Sequence, residues 1–336
     1  MGASTVRLIA LDWGTSSLCA YSLGDSGSIL EARTLPLGVM VLAQLLDQST
    51  NEDTDAIFCR AFEEACCDWL QSSPAAPIIA SGMIGSSQGW HETPYLTVPI
   101  SIARFATALT KFKVGAGRVI HIVPGLIENS ELPNVMRGEE TQVVGALSLM
   151  ARECPNQPEL GNEVLVGMPG THSKWVFVRD DAIMHFETFM TGEIYAALGS
   201  HTILSRTARP AAEPDYAAFD RGVRVARSSA GNDGILSTVF SARTLVLTGV
   251  LMPEQQPDYL SGLLVGAEIA TLLRPRIQET FPRIGTHRPI LLVGNTALCA
   301  RYVRALAENG SENVRFVPNA TERGLWKLAI QAGLVS

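Results

Sequence analysis

The 336-residue sequence predicts an α/β chain made of two related domains, and three observations carry that expectation. The apolar run Ala10-Leu11-Asp12-Trp13 breaks at the turn Gly14-Thr15-Ser16-Ser17 and resumes as Leu18 to Tyr21, which reads as strand, polar turn, strand. Half a chain later the plan returns: Val164 to Met168, the turn Gly170-Thr171-His172-Ser173, then Lys174 to Val178. Each hairpin is followed by a turn at an acid, Gly24-Asp25 or Arg179-Asp180-Asp181, and by a further strand-like run, Ile29 to Arg33 or Ile183 to Phe189.

The intervening elements alternate as an α/β chain should. Asp55 to Gln71 carries Ile57, Phe58, Ala61, Phe62, Ala65, Trp69 and Leu70 at a helical period. Pro77 to Gly85 is a short apolar strand entering a glycine turn, Ser101 to Thr110 reads as a helix, and Val119 to Val123 is a strand that Pro124 stops. Gly138 precedes a helix whose face is set by Val143, Leu147 and Met150. The Pro- and Asn-containing stretch 154–162 is the expected boundary, giving domains 1–160 and 161–336. In the second domain Ser205 to Asp233 reads as the least regular part, and the apolar helix around Ser261 to Leu273 contains Glu268 and falls short of a membrane span. Ile290 to Val293 is a strand ending at Gly294, before the helical run Ala297 to Glu308.

Composition narrows the function classes. Hydrophobic residues make up 46% of the chain and charged ones 18%, which supplies a core and argues against disorder. A net charge of -7 steers the chain away from nucleic acid and anionic membranes. The six cysteines form no C-x-x-C pair and sit in mostly apolar contexts, which reads as reduced core thiols rather than a zinc site. The first apolar run stops at Asp12, short of a signal-peptide core, and the expected location is cytoplasmic.

The two hairpins suggest phosphate chemistry. Gly14 permits close backbone approach, Thr15, Ser16 and Ser17 offer short hydroxyls, and Asp12 supplies a carboxylate beside them. Glu139 and Glu140 start a helix, where paired acids either answer the backbone dipole or serve as a general base.

These segments resemble the actin-like ATPase and sugar kinase superfamily. That resemblance implies two actin-like (ribonuclease H-like) domains, mixed sheets flanked by helices, and a nucleotide cleft between them. It casts Asp12 to Ser17 and Gly170 to Lys174 as phosphate loops and Gly294 as a nucleoside contact. The run Gly138-Glu139-Glu140 with Gly145 downstream is similar to the Gly-Asp signature of FGGY carbohydrate kinases, in which the acid accepts the proton of the attacking sugar hydroxyl. Here Glu replaces Asp, and Glu140 rivals Glu139.

More specific strings, Gly82-Met83-Ile84-Gly85 through Trp90, Met136 to Gln142, Pro169-Gly170-Thr171-His172-Ser173-Lys174-Trp175 and Met190-Thr191-Gly192-Glu193, resemble the 2-dehydro-3-deoxygalactonokinase family. The resemblance implies ATP- and Mg²⁺-dependent phosphorylation of the terminal C6 hydroxyl of 2-dehydro-3-deoxy-D-galactonate in galactonate breakdown. It implies Asp12 for the metal, Thr15, Ser16, Ser17, Gly170, Thr171, His172, Ser173, Lys174 and Gly294 for nucleotide, with His172 bracing the turn and Lys174 in a loop-fixing ion pair as their alternatives, and Glu139 or Glu140 for catalysis. Pro169 stands where many superfamily members have a second aspartate, so metal binding leans on Asp12. For the sugar acid, Ser86, Gln88, Trp90, His91 and Tyr95 form the expected specificity segment. Arg137 is a candidate partner of the substrate carboxylate, with an ion pair to Glu139 or Glu140 as the alternative. The expected partners are a small-molecule sugar acid and ATP, with no nucleic acid or membrane; a homodimer stays open. A kinase of a related sugar or sugar acid, an actin-like ATPase and a sugar-sensing protein of the same fold are the alternatives.

Overall fold

The computed structural model describes residues 5–48, 53–153, 163–273 and 289–336. They fall into two compact units. The first holds Met1–Gln157, Asp181–Met184 and Asn319–Ser336, the second Pro158–Asp180 and His185–Pro318. The expected linker at 154–162 lies outside the described residues. A cut at residue 160 would leave the C-terminal segment in the second domain, whereas residues 319–336 belong with the first unit.

The first unit contains β1 (Leu8–Trp13), β2 (Leu18–Leu23), β3 (Ile29–Leu35), β4 (Ile78–Gly82), β5 (Tyr95–Thr97), β6 (Ile100–Ser101), β7 (Thr110–Val114), β8 (Arg118–Ile122), β9 (Gly125–Glu128) and β10 (Asn134–Met136). Its main sheet runs β3-β2-β1-β4-β8-β7, with β1 antiparallel to β2 and parallel to β4. A small sheet, β10-β9-β5, carries the segments on either side of residue 125. The second unit contributes β11 (Glu163–Met168), β12 (Ser173–Arg179), β13 (Ala182–Phe189) from His185 on, β14 (Ile290–Leu292) and β15 (Val314–Phe316). There the strands lie in the order β13-β12-β11-β14-β15, with β11 antiparallel to β12 and parallel to β14. Both units therefore place their first strand centrally, with its hairpin partner on one side and a later parallel strand on the other. This repetition in topology is the duplication that the two Gly-Thr-x-Ser hairpins announced.

The central strands are buried on both faces and read as continuous apolar runs, as parallel and mixed sheets covered by helices require. Leu8 to Leu11 and Trp13 have no exposed surface, and the helix Thr54–Ser72 covers them with Ile57, Phe58, Ala61, Phe62, Ala65 and Trp69. Asp53 caps that helix by accepting from the Ala56 N–H. The segment Ser101 to Thr110 is helical only over Ile102–Ala106, and Thr110 already begins β7. The stretch read as irregular contains an amphipathic helix, Tyr216–Arg227. Its signal was masked by Pro210 and Pro214 just before it, whereas Asp215 caps it by accepting from the Ala218 N–H.

Two helix crossings set the geometry of each unit. In the first, the helix Glu139–Glu153 meets the C-terminal helix Ala320–Gln331 so closely that a Cβ on Gly145 would lie 1.7 Å from the Ala320 carbonyl oxygen, and one on Gly324 would lie 1.9 Å from that of Thr141. In the second, Gly222 and Gly262 allow a similar crossing of the helices Tyr216–Arg227 and Gln256–Leu272. Among the described residues no helix is long and apolar enough to cross a membrane. The five described cysteines are free; Cys66 and Cys299 are buried, and burial pushes the Cys66 thiol up to about 12.

Candidate active site

In the first unit the site grows from the end of β1. Asp12 sits opposite Cys19 on β2 and Ser81 on β4. The turn that follows is pinned: the Gly14 N–H donates to the Ser17 carbonyl, and the Gly14 and Thr15 carbonyls accept from the N–H groups of Val39 and Met40. This leaves Thr15 and Ser16 exposed at the tip. Gly82 ends β4 at φ +91°, where a Cβ would lie 2.7 Å from the Trp13 carbonyl and 3.3 Å from the Asp12 carboxylate. Gly138, at φ +110°, in turn lies with its Cβ position 3.3 Å from the Gly82 Cα. Glycine at both places lets the start of the helix Glu139–Glu153 close on the end of β1.

That closure crowds acids. Burial, then the charges of Glu139 and Glu322, push the Asp12 carboxyl up to about 7. Glu322 comes from the C-terminal helix, and burial raises its carboxyl as well. The two helix acids differ sharply. Glu140 is fully buried, and both its oxygens accept from the Gly138 N–H at 2.8 Å. Burial and the neighbouring Glu139 push it up to about 8. Glu139 is half-buried and accepts from the Arg137 N–H through Oε2 at 3.0 Å. The residue is partly exposed, and its charge acts on Asp12.

The expected substrate segment divides. Trp90 is 6% exposed and packs against Trp13, Phe58, Phe62 and Phe112, with its indole N–H donating to Asp55. It is a core side chain, and the two-indole contact with Trp13 explains why an aromatic stands there. Ser86 is buried and donates its hydroxyl to the Met83 carbonyl. Gln88 is exposed, His91 stacks at 4.5 Å on Phe112, and Tyr95 is 39% exposed. Arg137 ties this segment to the helix start. Its guanidinium donates to the Thr93 hydroxyl at 2.5 Å and the Thr93 carbonyl at 2.9 Å, and lies 4.3 Å over the Tyr95 ring. These two donors order the segment around Thr93, and the charge of Arg137 also acts on Glu140.

In the second unit the Gly170 turn stands open, with nothing within 4 Å of a Cβ placed on Gly170, and Thr171 and His172 are exposed. The residues after them turn inward. Ser173 is fully buried and bonds to the Tyr302 hydroxyl at 3.0 Å, and Lys174 is 6% exposed and donates to the Thr188 hydroxyl at 2.7 Å. Their side chains belong to the strand rather than to the loop surface, because strand alternation begins at Ser173. The loop is braced by the helix Thr191–His201: the Glu193 N–H donates to the Thr171 carbonyl, the Glu193 carboxylate pairs with His172 at 2.5 Å, and Gly192 packs on the Gly170 carbonyl. Gly294, at φ +140°, lies with its Cβ position 3.2 Å from the Pro169 carbonyl, so the turn after β14 abuts the loop. Beside them is a cavity of about 270 Å³ lined by Gly170, Thr191, Gly192, Tyr195, Ser261, Leu264, Leu298, Arg301 and Tyr302, among others.

The structure thus groups Asp12, Thr15, Ser16, Glu139 and Arg137 in one unit, and Gly170, Thr171, His172 and Gly294 in the other. Sequence reasoning missed Glu322, Thr93 and Glu268. The small pair Ala320 and Gly324, mirroring Thr141 and Gly145 at the same spacing, was the available signal for the crossing that delivers Glu322. Among the described residues no three His, Cys, Asp or Glu side chains converge as a metal cage. The chemistry that Asp12 offers fits an ion that keeps its own waters, as Mg²⁺ does.

A protein-family model described as 2-keto-3-deoxy-galactonokinase matches residues 12–328. The 2-dehydro-3-deoxygalactonokinase of Escherichia coli (strain K12) is 33% identical over 312 residues, covering 92% of each chain. A Rhizobium meliloti (strain 1021) protein named for the same activity is 34% identical over 332 residues, covering 95% of this chain and 97% of its own. The crystal structure of a candidate 2-dehydro-3-deoxygalactonokinase from Sinorhizobium meliloti superposes with a TM-score of 0.75 at 33% identity, covering 96% of this chain and 98% of that one. On the length of these matches, the chain belongs to the 2-keto-3-deoxy-galactonokinase family.

Proposed function

We propose that this kinase transfers the γ-phosphoryl group of ATP to the C6 hydroxyl of 2-dehydro-3-deoxy-D-galactonate, with Glu139 as general base. The observation that carries the assignment is the contrast between two adjacent acids: Glu140 is turned into the helix start and wholly buried, while Glu139 is partly exposed and its charge acts on Asp12. Of the two, Glu139 is the residue with exposed surface, which favours it as the base.

Phosphoryl transfer asks mainly for positioning and charge neutralisation. Glu139 takes the proton as the C6 oxygen bonds to phosphorus and the bond to the ADP oxygen breaks. Thr15, Ser16 and the open Gly170-Thr171-His172 turn offer hydroxyls and N–H groups to phosphate oxygens. The cavity beside Gly170, where Tyr195, Tyr302, Leu264 and Leu298 stand with the polar Thr191, Ser261 and Arg301, suits the nucleoside. Asp12 would hold Mg²⁺ through its waters, and the crowding with Glu139 and Glu322 that raises its carboxyl is what a divalent cation relieves. Bound Mg²⁺ neutralises charge on the phosphates. Arg137, two residues before Glu139, holds Thr93 and Tyr95, which supports assigning the 86–95 segment to the sugar-acid site.

Coupled measurement of ADP release tests the reading. Turnover should require both the sugar acid and Mg²⁺, and replacing the galactonate epimer by the gluconate one measures selectivity. ATP hydrolysis at the same rate without the sugar acid would count against a kinase and for an ATPase of this fold.

A further inference from the structure

Glu268 is the most unusual buried acid that the reaction scheme leaves unused. It lies 3% exposed in the apolar helix Gln256–Leu272. Three donors converge on it. The Trp175 indole N–H donates to Oε1 at 2.6 Å, the Tyr302 hydroxyl donates to Oε2 at 2.7 Å, and the Thr191 hydroxyl donates to the same oxygen. The Ser173 hydroxyl lies 3.0 Å from that of Tyr302, which donates its proton to Glu268, so the Ser173 proton serves Tyr302 or Glu268 itself. The chain therefore runs from Ser173 to Glu268, through Tyr302 or directly, and from Glu268 to Thr191.

The placement of these donors matters more than their number. Ser173 closes the Gly170-Thr171-His172 turn at its C-terminal end, and Thr191 opens the helix whose next two residues, Gly192 and Glu193, pack on Gly170 and bond to Thr171 and His172. Nothing lies within 4 Å of a Cβ placed on Gly170, so that side of the turn is open. Its position is thus set from both flanks, and both flanks end on one carboxylate.

We propose that Glu268 is a positioning residue for the nucleotide: it fixes Ser173 and Thr191 relative to each other and so sets the phosphate turn, without touching ATP. The proposal rests on the reading that Gly170-Thr171-His172 binds phosphate. A buried carboxylate that accepts several bonds in low dielectric holds its donors tightly and leaves them costly to unpair. Removing a donor at the loop side should shift the turn, whereas removing Trp175, which lies on the strand away from it, should cost stability alone.

Steady-state kinetics on the full chain separates these outcomes. Thr191→Val and Glu268→Gln should raise KM for ATP between about 10- and 100-fold, the usual scale for displaced supporting groups, with KM for the sugar acid changed less than about twofold. Thr191→Ser, which restores the hydroxyl, should recover the wild-type KM for ATP. Trp175→Phe should lower Tm with an unchanged KM for ATP. Thr171→Val controls for the underlying reading: if it leaves KM for ATP unchanged, the turn does not bind phosphate and the reading itself fails. If Thr171→Val weakens ATP while Thr191→Val and Glu268→Gln affect only Tm, the reading stands and the positioning role of Glu268 is overturned.

Discussion

At the scale of single residues, one step along the helix separates the proposed base, Glu139, from the buried Glu140. Glu139→Gln should lower kcat by roughly 10²- to 10⁴-fold, the range for removing a positioned general base, with nucleotide affinity retained; Glu140→Gln should be far milder. Rapid-quench or coupled ADP assays decide it, and a reversed order of effects would move the base to Glu140. The same pair predicts a pH signature. Glu140 titrates near 4.5 when unfolded and about 8 when folded, so between those values the native state binds the extra proton. Its contribution to stability is complete below about pH 4.5 and is lost as pH rises through 8. Thermal melts across this window should fall less steeply in Glu140→Gln than in the parent. Arg137 gives a third prediction: Arg137→Lys keeps the charge but not the two-pronged contact with Thr93 or the full stack on Tyr95. KM for the sugar acid should rise while KM for ATP stays within about twofold; an effect confined to ATP would reassign the residue. The acids at the helix start were legible because Gly138-Glu139-Glu140 is a local string. Glu268 was not, because its partners Trp175 and Thr191 lie 93 and 77 positions away in sequence and nothing nearby distinguishes it from a lone charge on an apolar helix.

At the scale of elements, the hairpins were readable and the crossings were not. A strand, a Gly-Thr turn and a strand declare themselves within twelve residues or so of local pattern. The crossing of the helices Glu139–Glu153 and Ala320–Gln331 joins segments far apart in the chain, and only the shared small residues hint at it. The downstream glycine of the kinase-like signature, Gly145, acquires its physical reason here: it is the point where the helix bearing Glu139 lets the helix bearing Glu322 approach. Gly145→Ala would set a methyl 1.7 Å from the Ala320 carbonyl oxygen, and the helices must separate. Such overpacking costs about 1–3 kcal/mol and sometimes more, which for a chain of this size is a fall in Tm of several degrees. Because the near ends of both helices carry acids of the site, kcat should fall with stability. A variant with parental Tm and kcat would show that the crossing has room to spare.

At the scale of the whole molecule, duplication was visible in sequence because both copies keep the hairpin, while the partition of the chain was not, because contiguity along a sequence says nothing of which sheet a terminal helix covers. The segment 319–336 crosses back to the first unit after all of the second unit's strands have been made. Its helix buries Ala320, Gly324, Leu325, Trp326, Leu328 and Ala329. At about 1.5–3 kcal/mol for each large apolar side chain, Leu325, Trp326 and Leu328 contribute on the order of 5–9 kcal/mol, comparable with the whole stability of a typical domain. The whole segment groups with the first unit. A chain ending at Pro318 should therefore lose the cooperative melting of the first unit and keep that of the second. Calorimetry with limited proteolysis resolves the two: residues of the Thr54–Ser72 helix should become cleavable at temperatures where the Gln256–Leu272 helix stays protected. Were the shortened chain to melt as the full one does, with both helices protected alike, the C-terminal helix would be an accessory to the first unit rather than part of its core.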